Sequence, residues 1–173
     1  MSAPLPLQGL APLVDAGTRV LVLGSFPSAK SLQLQQYYAH PQNQFWPLMQ
    51  ALWPQAPWPA DGDYAKRCAC LLAQGVGLWD VYAHCQRKGS LDSAIRAAQP
   101  NDFAALLLRC PQLTTVAHNG GESFGHAATL EKALTQAGCA SKVMRHRLPS
   151  TSAAHAAMNF EQKCTAWRAV LNP

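Results

Sequence analysis

The chain has 173 residues, 49% hydrophobic and 13% charged, with 14 Lys and Arg against 9 Asp and Glu for a net charge of +5. That composition fits one domain spanning residues 1–173 with a buried core and excludes a disordered chain, while the modest basic excess bears on partners rather than on fold. No apolar run approaches the roughly 20 residues of a membrane span, and the first 13 residues, without a basic start and broken by Pro4, Pro6 and Pro12, do not read as a secretory signal; a cytoplasmic protein is expected.

Residues 1–18 form a Pro-punctuated arm whose Asp15-Ala16-Gly17 turn delivers the chain into a strand over 19–26, apolar as a strand covered on both faces should be. From Ser28 a helical or irregular segment leads to Tyr37-Tyr38. A helix over 43–52 places Phe45, Leu48, Met49 and Leu52 on one face, and Pro54, Pro57 and Pro59 end it. Another helix covers 63–74 and stops at Gly75. The β-rich run 76–82 is a second strand carrying Asp80. Beyond it lies a loop over 85–93, where Ser90 or Asp92 can cap a short helix over 94–98. Asn101 reads as the cap of a helix to Arg109, and residues 113–117 form a third strand ending in His118-Asn119-Gly120-Gly121. A helix over 123–137 is closed by Gly138, 141–148 is the fourth strand, 149–152 a polar turn, and 153–171 the last helix.

Strands alternating with helices imply a three-layer α/β/α sandwich around a four-stranded parallel sheet. Parallel strands present their carboxyl ends on one edge, so the four polar loops SFPS, the one after Asp80, HNGG and PSTS must converge on a cleft. The six cysteines, at 68, 70, 85, 110, 139 and 164, include no CxxC pair and read as reduced, apolar fillers. Dinucleotide and Walker fingerprints are absent. Gly120-Gly121 opening a helix either holds a phosphate on backbone N–H groups or simply turns the chain. Ser25 or Ser150 with His118 or His155 suggests a serine hydrolase, but the G-x-S-x-G elbow is missing. Lys142, Arg145 and Arg147 in one segment, with Lys66, Arg67, Arg87 and Lys88 around another, suit a polyanion or simply a solvated face.

Five stretches in order resemble one family: Gly24-Ser25-Phe26-Pro27-Ser28; Tyr37-Tyr38-Ala39-His40-Pro41-Gln42-Asn43-Gln44-Phe45-Trp46; Gly77-Leu78-Trp79-Asp80-Val81 with Arg87-Lys88-Gly89-Ser90-Leu91-Asp92; His118-Asn119-Gly120; and Leu148-Pro149-Ser150-Thr151-Ser152. Together they are similar to the hypoxanthine-DNA glycosylase branch of the uracil-DNA glycosylase superfamily. The resemblance implies a monofunctional DNA-repair enzyme that flips a deaminated base out of the stack and hydrolyses its N-glycosidic bond. Hypoxanthine is the first expected substrate, xanthine or uracil the next. No metal or redox cofactor is implied; the partner is DNA, and a monomer is expected.

The same resemblance implies roles. Tyr38 takes the place of the aromatic that stacks on the flipped base, with Ser25, Phe26 and Asn119 around it. Relatives keep an Asp or Asn two residues after the first Gly to position water; this chain has Phe26 there, and Asn43 is the implied replacement. Asn43 can also cap the helix that follows. Asp80 is the best-placed carboxylate, either against the base edge or water, or in a salt bridge with Arg87 or Lys88. Asn119 offers an amide donor and acceptor to a lactam edge, or makes a turn. Ser28, Gly120, Ser150, Thr151, Ser152 and His155 are expected at the DNA. Relatives carry His or Asn in place of Ser150 and a bulky wedge near Ala154, so His155 or a residue elsewhere must fill the vacated stack. Phe26, Ser150 and Ala154 keep open a second reading, a DNA-binding relative without activity.

Overall fold

Four short strands carry the molecule, two of them, over 20–24 and 76–80, apolar through most of their length. The computed structural model describes residues 5–171, so the first four residues of the expected arm lie outside the described residues. The elements are β1 (Leu7–Gln8), β2 (Val20–Gly24), α1 (Ala29–Leu34), α2 (Phe45–Leu52), α3 (Tyr64–Ala73), β3 (Val76–Asp80), β4 (Tyr82–Gln86), a 3-10 turn (Asp92–Ala94), β5 (Arg96–Pro100), α4 (Phe103–Arg109), β6 (Thr115–Asn119), α5 (Gly121–Gly125), α6 (Ala128–Gln136), β7 (Met144–Leu148) and α7 (Phe160–Leu171).

The order β3-β2-β6-β7 makes a four-stranded sheet, parallel throughout. Because side chains alternate along a strand, Val22 and Leu78 face α2, α3 and α7 through Phe45, Leu48, Leu71 and Trp167. Leu21, Leu23 and Val116 face the opposite layer, through Phe103 and Leu106 of α4 and Leu130 and Leu134 of α6. This is the expected α/β/α sandwich. Registers Gly24 with Asp80 and Asn119 with Leu148 bring the carboxyl ends of the strands to one edge.

Several local expectations are corrected. Residues 94–98 are not a helix: β5 pairs antiparallel with β4, which pairs with β1, making a second, three-stranded sheet. Pairing of this stretch with the preceding strand, Gln86 with Arg96 and His84 with Gln99, overrides the helix preference of Ala97 and Ala98. Asp102, not Asn101, caps α4 by accepting from Ala105 N at 3.0 Å. The 123–137 helix divides into α5 and α6 around Gly125-His126, as glycine weakens helix interiors. Residues 153–159 stay out of the last helix because Ser150 and Ser152 hydroxyls accept from the N–H groups of Ser152 and Ala154, competing with helical bonds. That helix starts instead at a capping box in which Asn159 and Gln162 bond each other's N–H, both at 2.9 Å.

The arm is docked rather than loose. Leu13 and Leu78 exchange two backbone bonds of 2.9 Å, covering the outer edge of β3, which would otherwise present unpaired N–H and C=O groups. Gly77 permits this approach, since a Cβ there would lie 2.8 Å from Val14 Cγ1 and 2.9 Å from Leu13 O. Gly77→Ala is therefore expected to destabilise the fold by about 1–3 kcal/mol, a fall of about 3–10 °C in Tm at this chain length. An unchanged melting curve would contradict this seating.

Candidate active site

The floor of the cleft is set where β2 and β3 end side by side. A Cβ on Gly24 would stand 2.5 Å from Asp80 Oδ1, so the absence of a side chain at Gly24 is what leaves room for the carboxylate. Asp80 is only 5% exposed, its Oδ2 has no hydrogen-bond partner, and its backbone carbonyl accepts from Asn101 Nδ2 at 2.8 Å. Burial first, and the neighbouring charge of Asp92 second, push its carboxyl up to about 7, against the opposing pull of Arg87. The alternative of an Asp80 salt bridge is not realised: Arg87 Nη1 lies instead 3.9 Å from Asp92 Oδ1.

Arg87 forms the support behind one wall. Its side chain is 1% exposed, its guanidinium lies 5.1 Å over the Phe26 ring, and Nη2 donates to the Pro27 carbonyl. Nε and Nη1 have no hydrogen-bond partners. This corrects the reading of Arg87 as part of a basic surface. Ser25 Oγ donates to Asp92 Oδ1 at 2.7 Å, so the SFPS loop and the loop after β4 are tied together.

Tyr38 and Asn43 make the next wall. Ser28 caps α1 through Ser31 N at 3.1 Å, and Ser31 Oγ accepts from Ala39 N at 3.2 Å, fixing the turn in which Tyr38 sits with φ at 54°. A left-handed tyrosine is strained, and such strain gathers at functional sites. The Tyr38 ring stacks on Phe45 with centroids 4.1 Å apart, and its hydroxyl is buried without a partner. Burial, then the charge of Asp80, raise that hydroxyl above the ordinary tyrosine range. Tyr37 is anchored in the core instead, donating to Ala11 O at 2.8 Å. Asn43 Oδ1 accepts from Phe45 N at 2.9 Å, which is the helix-start role; the residue nevertheless lines the cleft.

The remaining wall comes from the HNGG and PSTS turns. Asn119 Nδ2 donates to Thr151 Oγ1 and Asn119 Oδ1 accepts from Thr151 N, both at 2.9 Å. The amide that was expected to read a base edge thus holds the PSTS turn, with one N–H and one lone pair left over. Thr151 O accepts from Gln44 N at 2.9 Å, and the buried Lys163 donates to Gln44 Oε1 at 2.9 Å. Gly120, at φ 102°, does not line the cleft; a Cβ there would meet Ser150 Cβ at 3.2 Å. Ser150, Thr151, Ser152 and His155 do line it, as do Ser25, Phe26 and Ser28.

The cleft measures about 360 Å³, within the range of small-molecule pockets. Ser90, Leu91 and Asp92 are among the lining residues that were missed; the signal for them lay in the Arg87–Asp92 stretch that carried part of the resemblance. A Ser–His pair exists, but away from the cleft. His118 Nδ1 is 2.8 Å from Ser123 Oγ, which donates to Leu23 O at 2.7 Å, so this histidine does not activate that serine. Burial, then Arg145, lower His118 to about 4 and keep it neutral. The six cysteines are free, and among the described residues no three His, Cys, Asp or Glu groups converge to hold a metal.

Comparison with known proteins gives the same order of motifs a family. Residues 11–171 match the model of the uracil DNA glycosylase superfamily. A protein named hypoxanthine DNA glycosylase from Methanosarcina acetivorans is 35% identical over 164 residues, covering 94% of this chain and 96% of its own. One of the same name from Methanosarcina barkeri is 35% identical over 116 residues, 67% of this chain and 72% of its own. A solution NMR structure from M. acetivorans, described provisionally as a uracil DNA glycosylase, superposes with a TM-score of 0.76 at 31% identity, covering 96% of this chain and 97% of that one. With a family model matched over residues 11–171 and a relative 35% identical over nearly its whole length, the chain belongs to the uracil DNA glycosylase superfamily.

Proposed function

We propose that this protein is a monofunctional DNA glycosylase that removes a deaminated base, hypoxanthine first, and leaves an abasic site. The observation that carries the reading is the unpaired, buried Asp80 carboxylate against Gly24, in a cleft walled by Tyr38 and Asn43. Phe26 occupies the first-motif position where relatives keep a water-positioning group. Asp80 reaches the same neighbourhood from the adjacent strand, because Gly24 and Asp80 are in register.

The reaction divides between two side chains. Asn43 orients the attacking water with the hydrogen-bonding capacity that Phe45 N leaves free; an amide positions but does not take up a proton. Asp80, at about 7, is matched to general-base work near neutral pH. Water oxygen bonds to C1′ as the glycosidic C–N bond breaks, Asp80 accepts the water proton, and the base departs with the bonding pair. Tyr38, backed by Phe45, offers its ring to the flipped base. The names of the Methanosarcina relatives favour hypoxanthine. The inactive alternative, motivated by Phe26, Ser150 and Ala154, is less favoured because Asp80 supplies the acid that the first motif lacks. We read the protein as a single-domain cytoplasmic monomer; among the described residues no helix is long and apolar enough to cross a membrane.

Duplexes carrying one hypoxanthine, xanthine or uracil, incubated with the protein and heated in alkali, should break at hypoxanthine; intact strands with every base would sink the enzyme. In the same assay Asn43→Ala should cleave at least about tenfold more slowly with DNA binding nearly unchanged. Turnover equal to wild type would remove Asn43 from the mechanism.

The general-base role also fixes a pH dependence. Only ionised Asp80 accepts a proton, so the single-turnover rate should rise with pH through about 7 and level off above it. Asp80→Asn should be slow and lack that inflection. A variant keeping both the rate and the inflection would show that another group takes the proton.

A further inference from the structure

Base flipping leaves a gap in the stack, and proteins that open duplexes commonly fill such gaps with an apolar side chain. On the rim formed by the PSTS turn, Ala153, Ala154, Ala156 and Ala157 are exposed, but a methyl group is too short to bridge a base step, and the exposed Met158 that follows them does not line the cleft. The cleft is also lined by Leu91, 65% exposed. Among the described residues it is the one exposed large hydrophobic that lines the cleft.

A single exposed leucine is ordinary on a protein surface; its mounting is what distinguishes this one. Ser90 Oγ accepts from Ala29 N at 3.0 Å, clamping the residue before it to the start of α1. Asp92, the residue after it, accepts from Ser25 Oγ at 2.7 Å, next to the floor of the cleft. The Leu91 carbonyl itself accepts from Ala94 N at 3.1 Å. An apolar side chain is thus held out toward solvent on a backbone fixed on both sides. Exposed Lys88 lies three residues away, with a charge suited to a phosphate backbone.

We propose that Leu91 is the wedge that enters the duplex and occupies the space left by the flipped base, a role the family's usual position near Ala154 does not fill in this chain. The proposal rests on the glycosylase reading and adds to it the residue that couples excision to duplex opening. A wedge matters only where there is a stack to hold open, so its removal should divide duplex from single-stranded substrate.

The test compares wild type, Leu91→Ala and Leu91→Met on hypoxanthine in a duplex and in the same strand alone, with melting curves of the three proteins as controls. Leu91→Ala should lose at least about tenfold on duplex and stay within about twofold on single strand, and Leu91→Met should recover most of the loss. With 2-aminopurine beside the lesion, the fluorescence rise on binding duplex should shrink in Leu91→Ala. Equal losses on both substrates, or an unchanged duplex rate, would overturn the wedge while leaving the enzyme standing. Absence of cleavage by wild type on both substrates would instead overturn the glycosylase reading, and the wedge with it.

Discussion

The molecule depends on one unusual accommodation, a carboxylate buried at the end of β3 against a strand that has no side chain to oppose it. An unpaired ionised carboxylate in a dry site is costly, and the protein answers by raising the carboxyl toward neutrality rather than by pairing it. Gly24 provides the space, Asn101 holds the Asp80 backbone carbonyl, and Arg87 contributes a positive charge from behind Phe26 without forming an ion pair with Asp80. A Cβ at position 24 would collide with the carboxylate, and a close cation at Asp80 would leave a less basic acid.

Around that floor, the walls are held by bonds between segments far apart in the chain. Ser25 with Asp92 closes one side, and Asn119 with Thr151, then Thr151 with Gln44 and Gln44 with Lys163, close the other. Apart from Arg67 Nε, the buried side-chain atoms without partners among the described residues gather at or behind the cleft: Asp80 Oδ2, the Tyr38 hydroxyl, and Arg87 Nε and Nη1. Unsatisfied buried groups are rare in folded proteins and concentrate where chemistry needs them. In this superfamily member they sit beside the left-handed Tyr38, so strain and desolvation share one place.

The first two strands of the central sheet were legible as short apolar runs, and the cleft because parallel strands oblige their carboxyl ends to converge. What was not legible depends on contacts remote in sequence. Alanines at 97 and 98 favour a helix until β4 offers a partner edge. Asn119 looks like a reader of base edges until Thr151, thirty-two positions on, takes both ends of its amide. Leu91 gives no periodic signal; only the anchors at Ala29 and Ser25 bring it to the cleft. The departure at Phe26 was visible in the sequence, as was Asp80 as the best-placed carboxylate, but the register that sets Asp80 beside Gly24 exists only in the folded sheet.

The proposed chemistry therefore turns on the state of one carboxyl group. Its most direct test is a 13C NMR titration of the Asp80 carboxyl carbon in the intact protein, identified by loss of the signal in Asp80→Asn. A midpoint near 7 is the result predicted for a buried proton acceptor working at neutral pH. A midpoint near the ordinary aspartate value of about 3.9 would contradict it, because a carboxylate that weakly basic could not serve as the acceptor.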